Sequence, residues 1–460
     1  MADQCALRVM RELRQLDKSD QLAMTVIYKE SNIREITALL IGPPGTPYAL
    51  GFYQFSISVP PDYPAKPPNV LIRTTNRGRT RFGPNLYGGG KVCLTWESEP
   101  GEQWSPAQGL ESVLLSIQSL LSSKPYHLEP GFETDDNEEQ IELYNAKNSL
   151  LTRSEKEIAK SEFQIRHENL RLTVITPLEK AFGIEPPPVP YAQLSGTARC
   201  VQQGWGPVNS SIREEPELHN PFLDFYKKRF LWYLEMYKHA IQEGLEKEKN
   251  RHRHDFPMLP FEHPGNSMRG TWDYEDLKAR LEKLEDCTMD ETHNWPIEGL
   301  ELVKKDVGIA VSLRAQHEQI ASGLGRRGEA MVDLELVDDN PFLWRLTYFG
   351  RPMTQYDGGV LKIKIFVSPR HPIEQPRVFL ETPLYHVRVS KKNVLVYLPT
   401  QADEMSRHIE GIINSLEEET PPFNPLLIVN PEASKLCWGN KEEQRQYSRK
   451  LRRSVAATLE

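Results

Sequence analysis

Hydrophobic and polar positions in the first third of the chain predict a helix followed by four strands. Apolar residues recur every three positions from Leu7 to Leu16, which predicts a helix with one apolar face over residues 6–16. Alternating positions then predict strands at residues 22–28, 36–41, 53–59 and 70–73. Glycine and proline turns between the strands favour an antiparallel meander, and a helical pattern returns at 107–121. This order of elements indicates an α+β layered fold.

The last third of the chain repeats the same order of elements. Residues 308–324 have a helical pattern, and strands are predicted at 331–337, 344–348 and 361–367. An internal repeat of this length predicts a second domain with the architecture of the first.

The region between the two copies is mainly helical in its pattern. A charged helical segment ends near Ile175, and residues 186–211 have the proline, glycine and serine content of a linker. Aromatic residues then recur every three to four positions on a helix that starts after Asn220-Pro221. These aromatic residues are Phe222, Tyr226, Phe230, Tyr233 and Tyr237. Such a stripe is more often core packing than a ligand site.

Composition and charge exclude several classes of protein. A chain of 460 residues is expected to form roughly two to four domains, each with its own core. Charged residues make up 26% and hydrophobic residues 38%, which is typical of a folded, soluble protein. The net charge of −8 disfavours a general nucleic-acid binder. Neither a membrane span nor a secretory signal is visible, so we expect a cytosolic or nuclear location.

Metal and disulfide sites are not expected either. The five cysteines stand far apart, which predicts neither a disulfide framework nor a zinc site. Histidine alternates with arginine around His252–His254, and such cationic neighbours disfavour a divalent ion. We therefore predict neither a metal nor a cofactor.

Cys93 is the residue whose surroundings are most informative. It follows an asparagine-containing turn and three glycines, and it precedes Trp104 and the second predicted helix. A thiol in such a segment is a candidate acyl carrier, because a thioester keeps a carbonyl reactive toward amines. A small buried hydrophobic residue is the alternative interpretation.

The motifs around Cys93 resemble the catalytic core of ubiquitin-conjugating (E2) enzymes. A glycine- and proline-rich turn at Ile41–Tyr48 and a proline-rich crossing at Pro60–Val70 precede Gly83-Pro84-Asn85, where most members have His-Pro-Asn. The E2 Z subfamily has an extended carboxy-terminal region that the chain resembles at Ile165–Glu168, in the aromatic stripe and at Trp272–Tyr274. The resemblance implies two ubiquitin-conjugating-type domains, 1–131 and 296–460, joined by a mostly helical extension, 132–295.

The resemblance also implies an activity and a set of partners. Cys93 would accept ubiquitin or a ubiquitin-like protein from an activating enzyme and pass it to a lysine or to a ligase. Asn85 would steady the oxyanion of the intermediate or hold the loop, although a turn-forming asparagine is an alternative. His127 is the candidate base for the incoming amine, with Glu129 in reserve and a plain surface histidine as the alternative.

The second copy is predicted to lack the nucleophile. A count of ten residues from Gly83 reaches Cys93, and the same count from His386 reaches Val396, with Leu395 adjacent. Neither side chain is able to carry a thioester, so this domain is expected to be a binding or regulatory module. Two rival functions stay open: a ubiquitin-binding adaptor in which neither domain is active, and an enzyme that modifies bound substrates without a ligase.

Overall fold

The computed structural model describes residues 4–18, 22–94, 103–128, 163–185, 222–247, 252–258, 262–263, 266–326, 332–418 and 421–459. The chain divides into two compact units. Unit 1 comprises Met1–Pro221 and Ile241–Arg280, and unit 2 comprises Phe222–Ala240 and Leu281–Glu460. The predicted linker at 186–211 lies outside the described residues, and the functional boundaries expected from the sequence stay predictions.

Unit 1 contains a four-stranded antiparallel sheet whose strands are neighbours in chain order. The strands are β1 (Met24–Lys29), β2 (Asn32–Ile41), β3 (Phe52–Ser58) and β4 (Asn69–Ile72). All four predicted strands are confirmed, with small shifts at their ends. In β3 the alternation is direct, because Phe55 and Ile57 are buried between partly exposed neighbours.

Two helices that border the sheet are connected through a buried carboxylate. They are α1 (Gln4–Lys18) and α2 (Leu110–Leu120), and both were predicted. Glu12 of α1 accepts the Leu110 backbone N–H at 3.0 Å and the Tyr63 hydroxyl at 2.6 Å. Gly109, the residue before α2, has no capping side chain, so Glu12 supplies the missing acceptor. This contact fixes the start of α2 beside the sheet.

The extension is helical where the structure describes it. The helices are α3 (residues 163–181), α4 (Leu223–Lys247) and α5 (Tyr274–Val303). The middle of α3, Asn169–Ile175, is a π-helix. The predicted aromatic stripe has Phe222 directly before α4 and its other four residues on α4. It is confirmed as core packing, since none of the five exposes more than 2% of its surface.

Unit 2 contains a second sheet with the topology of the first. The sequence of elements is α6 (Gly308–Arg326), β5 (Val332–Leu336), β6 (Leu343–Phe349), β7 (Val360–Phe366), β8 (Arg377–Leu380) and α7 (Met405–Glu417), followed by α8 (Pro431–Cys437) and α9 (Lys441–Ala456). A single apolar cluster underlies the sheet, and Trp344 and Ile363 are fully buried in it. The predicted α+β fold with a repeated meander is therefore confirmed.

Helix α5 was not predicted as one element. It runs for 30 residues through Pro296, and Asn340 donates its side-chain N–H to the Pro296 carbonyl at 3.1 Å. Gly299 lies so close to Phe342 that an added Cβ would meet its ring at 2.3 Å. Among the described residues, none of these helices combines the length and apolar character that a membrane crossing demands.

Candidate active site

The segment that carries Cys93 lies along the edge of the first sheet. The Ile72 backbone N–H donates to the Gly90 carbonyl at 2.8 Å, and Leu71 forms a β-bridge with Lys91. These bonds place Gly90 and Lys91 beside β4 in an antiparallel arrangement, just before Cys93. Val92 and Leu94 are buried, whereas Cys93 between them is partly exposed. The alternation of the segment therefore directs the thiol away from the core.

Asn85 and Cys93 are joined in both directions. The Cys93 backbone N–H donates to the Asn85 carbonyl at 2.9 Å, and the Asn85 side-chain amide donates to the Cys93 carbonyl at 3.4 Å. The structure therefore brings these two predicted residues together. In this arrangement the amide N–H of Asn85 faces the backbone of Cys93.

An arginine supports the turn that in most family members carries a histidine. Arg81 is 5% exposed, and its guanidinium donates to the Gly83 carbonyl at 3.0 Å and to the Pro84 carbonyl at 2.7 Å. A Cβ on Gly83 would lie 3.0 Å from the Tyr48 hydroxyl, which itself donates to the Phe82 carbonyl at 2.6 Å. Arg81 and Tyr48 together thus hold the turn around Gly83. Sequence reasoning singled out neither residue.

Tyr87 is a third residue to which sequence reasoning assigned no role. Its side chain lies near that of Cys93, which acts on the pKa of Tyr87, and the Arg81 guanidinium lies 4.7 Å from the centre of its ring. Burial raises the pKa of Tyr87, and the nearby Cys93 charge raises it further, whereas Arg81 lowers it. The phenol therefore stays protonated and available as a donor beside the thiol.

The candidate base is described only in its backbone. His127 belongs to a 3₁₀ turn, Pro125–Leu128, that follows α2. Its side chain, Glu129 and the lip at 97–101 lie outside what the structure describes. The role of His127 as a base stays a prediction.

The corresponding loop of unit 2 repeats the backbone bonds of the first. The Leu380 N–H donates to the Asn393 carbonyl at 2.9 Å, as Ile72 does to Gly90. The Val396 N–H donates to the Arg388 carbonyl at 2.8 Å, where Cys93 donates to Asn85. These bonds align Val396 with Cys93, as the count of ten residues from His386 predicts.

The side chains at the aligned positions differ in identity and in burial. Val396 is fully buried, and Arg388 stands where the first copy has Asn85. His386 aligns with Gly83; burial and the Arg388 charge lower its pKa to about 3, and its Nδ1 accepts the Arg388 N–H at 3.2 Å. This neutral histidine supports its loop from within, in place of the arginine used by the first copy.

Comparisons with known proteins identify the architecture. A family model described as "Ubiquitin-conjugating enzyme" matches the chain twice, over residues 8–149 and 318–453, which together exceed half of its length. The chain belongs to this family. Both sheets are therefore the centres of ubiquitin-conjugating-type domains, and only the first has a cysteine at the position shared by Cys93 and Val396.

Ubiquitin-conjugating enzyme E2 Z is similar to a large part of the chain. The protein from Xenopus tropicalis is 41% identical over 287 residues, which are 62% of this chain and 72% of the relative. The protein from Danio rerio is 33% identical over 288 residues, which are 62% of this chain and 69% of the relative. The resemblance to the E2 Z subfamily is confirmed, and the chain spans about two thirds of the length of these relatives.

A shorter similarity links the chain to a much larger enzyme. The Homo sapiens protein "Dual E2 ubiquitin-conjugating enzyme/E3 ubiquitin-protein ligase BIRC6" is 42% identical over 124 residues. The match covers 26% of this chain and 3% of the relative. It concerns a single ubiquitin-conjugating-sized segment.

Proposed function

We propose that the chain is an active ubiquitin-conjugating enzyme that carries ubiquitin or a ubiquitin-like protein as a thioester on Cys93. One observation carries this proposal: the partly exposed Cys93 is bonded to Asn85 in both directions within the family segment. The aligned valine in unit 2 is buried beside an arginine. This contrast is the one expected between a functional site and a copy that has lost its chemistry.

The proposed reaction is two acyl transfers. The Cys93 thiolate attacks the thioester carbonyl of the charged activating enzyme, a new C–S bond forms, and the activating enzyme's thiolate leaves. A lysine amine, or the thiol of a ligase, then attacks the new thioester, and the Cys93 thiolate leaves. The proton of the attacking amine passes to a base, for which His127 is the candidate.

Three residues shape the site for this reaction. Asn85 holds the Cys93 carbonyl, and its amide is also the candidate donor for the oxyanion. Tyr87 presents a hydroxyl beside the leaving sulfur. Arg81 bonds the Gly83 and Pro84 carbonyls and so supports the loop in the absence of the family histidine.

Unit 2 is proposed to be a non-catalytic binding or regulatory module. Its loop keeps the backbone arrangement of the active copy, yet Val396 offers no nucleophile. The partners proposed for the whole chain are the modifier, its activating enzyme, a ligase and protein substrates. The name of the BIRC6 relative supports direct transfer to substrates without a separate ligase as a variant of the same activity.

The test is to incubate the full chain with activating enzyme, ATP and ubiquitin and to resolve the products on a non-reducing gel. We expect an adduct that thiol reagents remove, that Cys93→Ala abolishes, and that becomes thiol-resistant in Cys93→Ser because an oxyester forms. No adduct with ubiquitin or with any other modifier and its activating enzyme would overturn the proposal and favour the adaptor.

A further inference from the structure

A distant segment of unit 1 lies against the active-site loop. The Arg81 backbone N–H donates to the Ser267 carbonyl at 3.3 Å, and the Arg269 N–H donates to the Arg79 carbonyl at 3.0 Å. The two bonds run in opposite directions between positions two residues apart, which is the pattern of an antiparallel strand pair. The segment Asn266–Arg269 therefore pairs with the chain that leads into the loop.

Asn266 makes a side-chain contact with the loop itself. Its Oδ1 accepts the backbone N–H of Gly88 at 2.9 Å, across 178 residues of sequence. Gly88 is buried and Asn266 is 8% exposed, so water has little access to this bond. A buried N–H that lost its acceptor would stay unpaired, which is unfavourable.

The segment is itself anchored, so it is able to hold the loop rather than follow it. The backbone N–H of Phe256 donates to the Gly270 carbonyl at 2.8 Å, and the backbone N–H of Trp272 donates to the His254 carbonyl at 3.0 Å. His167 of α3 accepts the Asp273 N–H at 3.1 Å, and aromatic rings pack edge-on around it. These rings belong to Phe256, Trp272 and Tyr274.

Gly88 occupies the point at which the loop turns back toward Cys93. The backbone N–H of Tyr87 donates to the Lys91 carbonyl, and the backbone N–H of Gly90 donates to the Tyr87 carbonyl, each at 3.0 Å. Gly88 directly follows Tyr87, so a restraint on Gly88 also restrains the backbone of Tyr87, which is bonded to Lys91 and Gly90 on the way to Cys93. The bond from Asn266 therefore restrains the turn that leads to Cys93.

We propose that Asn266 is a positioning residue for the active-site loop, supplied by the extension rather than by the ubiquitin-conjugating core. It acts through Gly88 and Tyr87 and does not touch the reacting atoms. On this view the unit that performs catalysis includes residues 266–269. The inference rests on the proposed function, but the restraint on the loop is measurable without any reaction.

The experiment compares the full chain with two variants, Asn266→Ala and the isosteric Asn266→Asp, which keeps an acceptor oxygen. Amide hydrogen exchange is measured over residues 83–93, and discharge of ubiquitin from Cys93 to free lysine is measured at several lysine concentrations. In Asn266→Ala we expect exchange at Gly88 to accelerate about tenfold or more, because its acceptor is gone. We expect kcat for discharge to fall about tenfold while KM for lysine stays unchanged. Asn266→Asp should restore most of both values.

A matched control is Asn430→Ala, which removes a side-chain acceptor of the same kind from the Ala433 N–H in unit 2. It should leave exchange at residues 83–93 and discharge unaffected. Exchange and discharge at wild-type values in Asn266→Ala would overturn the inference, as would an equal effect of Asn430→Ala. Absence of any adduct in the wild-type chain would instead overturn the proposed function, and the exchange result would still decide the role of Asn266.

Discussion

At the scale of single residues, the first site shows how a missing histidine is replaced. A guanidinium offers several donors in a fixed plane, so Arg81 serves two adjacent carbonyls from one buried position. The same group stacks on Tyr87 and thereby orders the residue beside Cys93. In unit 2, buried neutral His386 performs the supporting role for its own loop.

The first prediction concerns Arg81→Ala. Removal of the guanidinium leaves the Gly83 and Pro84 carbonyls without their donors, and we expect a loss of about 2–3 kcal/mol in the free energy of unfolding. A loosened loop should slow single-turnover discharge to lysine about tenfold or more. Urea denaturation and a pulse-chase discharge assay measure the two effects.

Arg81→Lys is the matched control. It keeps the charge but supplies a point donor in place of the planar fork, so it should lie between the wild type and Arg81→Ala in both assays. Discharge at the wild-type rate in Arg81→Ala would mean that the loop does not depend on this side chain.

At the scale of elements, the Cys93 loop and the aligned loop of unit 2 share their backbone bonds, but only the loop of unit 2 contains a histidine, whose pKa burial lowers. His386 and His408, which lies in α7, both have a pKa lowered to about 3, mainly by burial. In the unfolded chain a histidine takes up a proton near pH 6.5. The folded state excludes that proton until the pH is far lower, so acid favours unfolding of unit 2.

The second prediction concerns the loss of stability in acid that these lowered pKa values imply. Above about pH 6.5, His386 is neutral in both the folded and the unfolded chain, and its contribution to the free energy of unfolding is complete. As the pH falls from there toward 3, the free energy of unfolding decreases by about 1.4 kcal/mol per pH unit for each such histidine. Urea midpoints of the full chain between pH 7.5 and 5 measure the slope. His386→Asn should make the slope shallower by one histidine's share, and an unchanged slope would contradict the assignment.

Sequence patterns predicted those elements whose signal is local. The alternation in β3 and the three-residue spacing in α1 depend on neighbours in the chain, and both elements were found. Helix α5 was not predicted: a proline normally ends or kinks a helix, whereas α5 continues through Pro296. The support from Asn266 was not predictable, since nothing in the sequence indicates which loop a residue 178 positions away will contact.

At the scale of the whole molecule, one fold occurs twice, with different side chains in the two aligned loops. Cys93 and Val396 make the same backbone hydrogen bonds. A cysteine placed at position 396 therefore tests whether the second copy lacks only a thiol or also lacks an accessible site around it. Val396 has no exposed surface, and Arg388 replaces the asparagine that faces Cys93 in the first copy. The two copies therefore differ at this position in more than the presence of a thiol.

The last prediction is that Val396→Cys, made together with Cys93→Ala, forms no thiol-sensitive adduct with ubiquitin and its activating enzyme. The introduced sulfur would be buried, and attack on a thioester requires an accessible thiolate. Adding Arg388→Asn should not restore charging, because burial of position 396 is unchanged. The wild-type chain and Cys93→Ala alone serve as positive and negative controls on the same non-reducing gel. An adduct on Val396→Cys would show instead that the second copy retains a complete acceptor surface and lacks only its sulfur. Its binding role would then rest on the same surface that the first copy uses for catalysis.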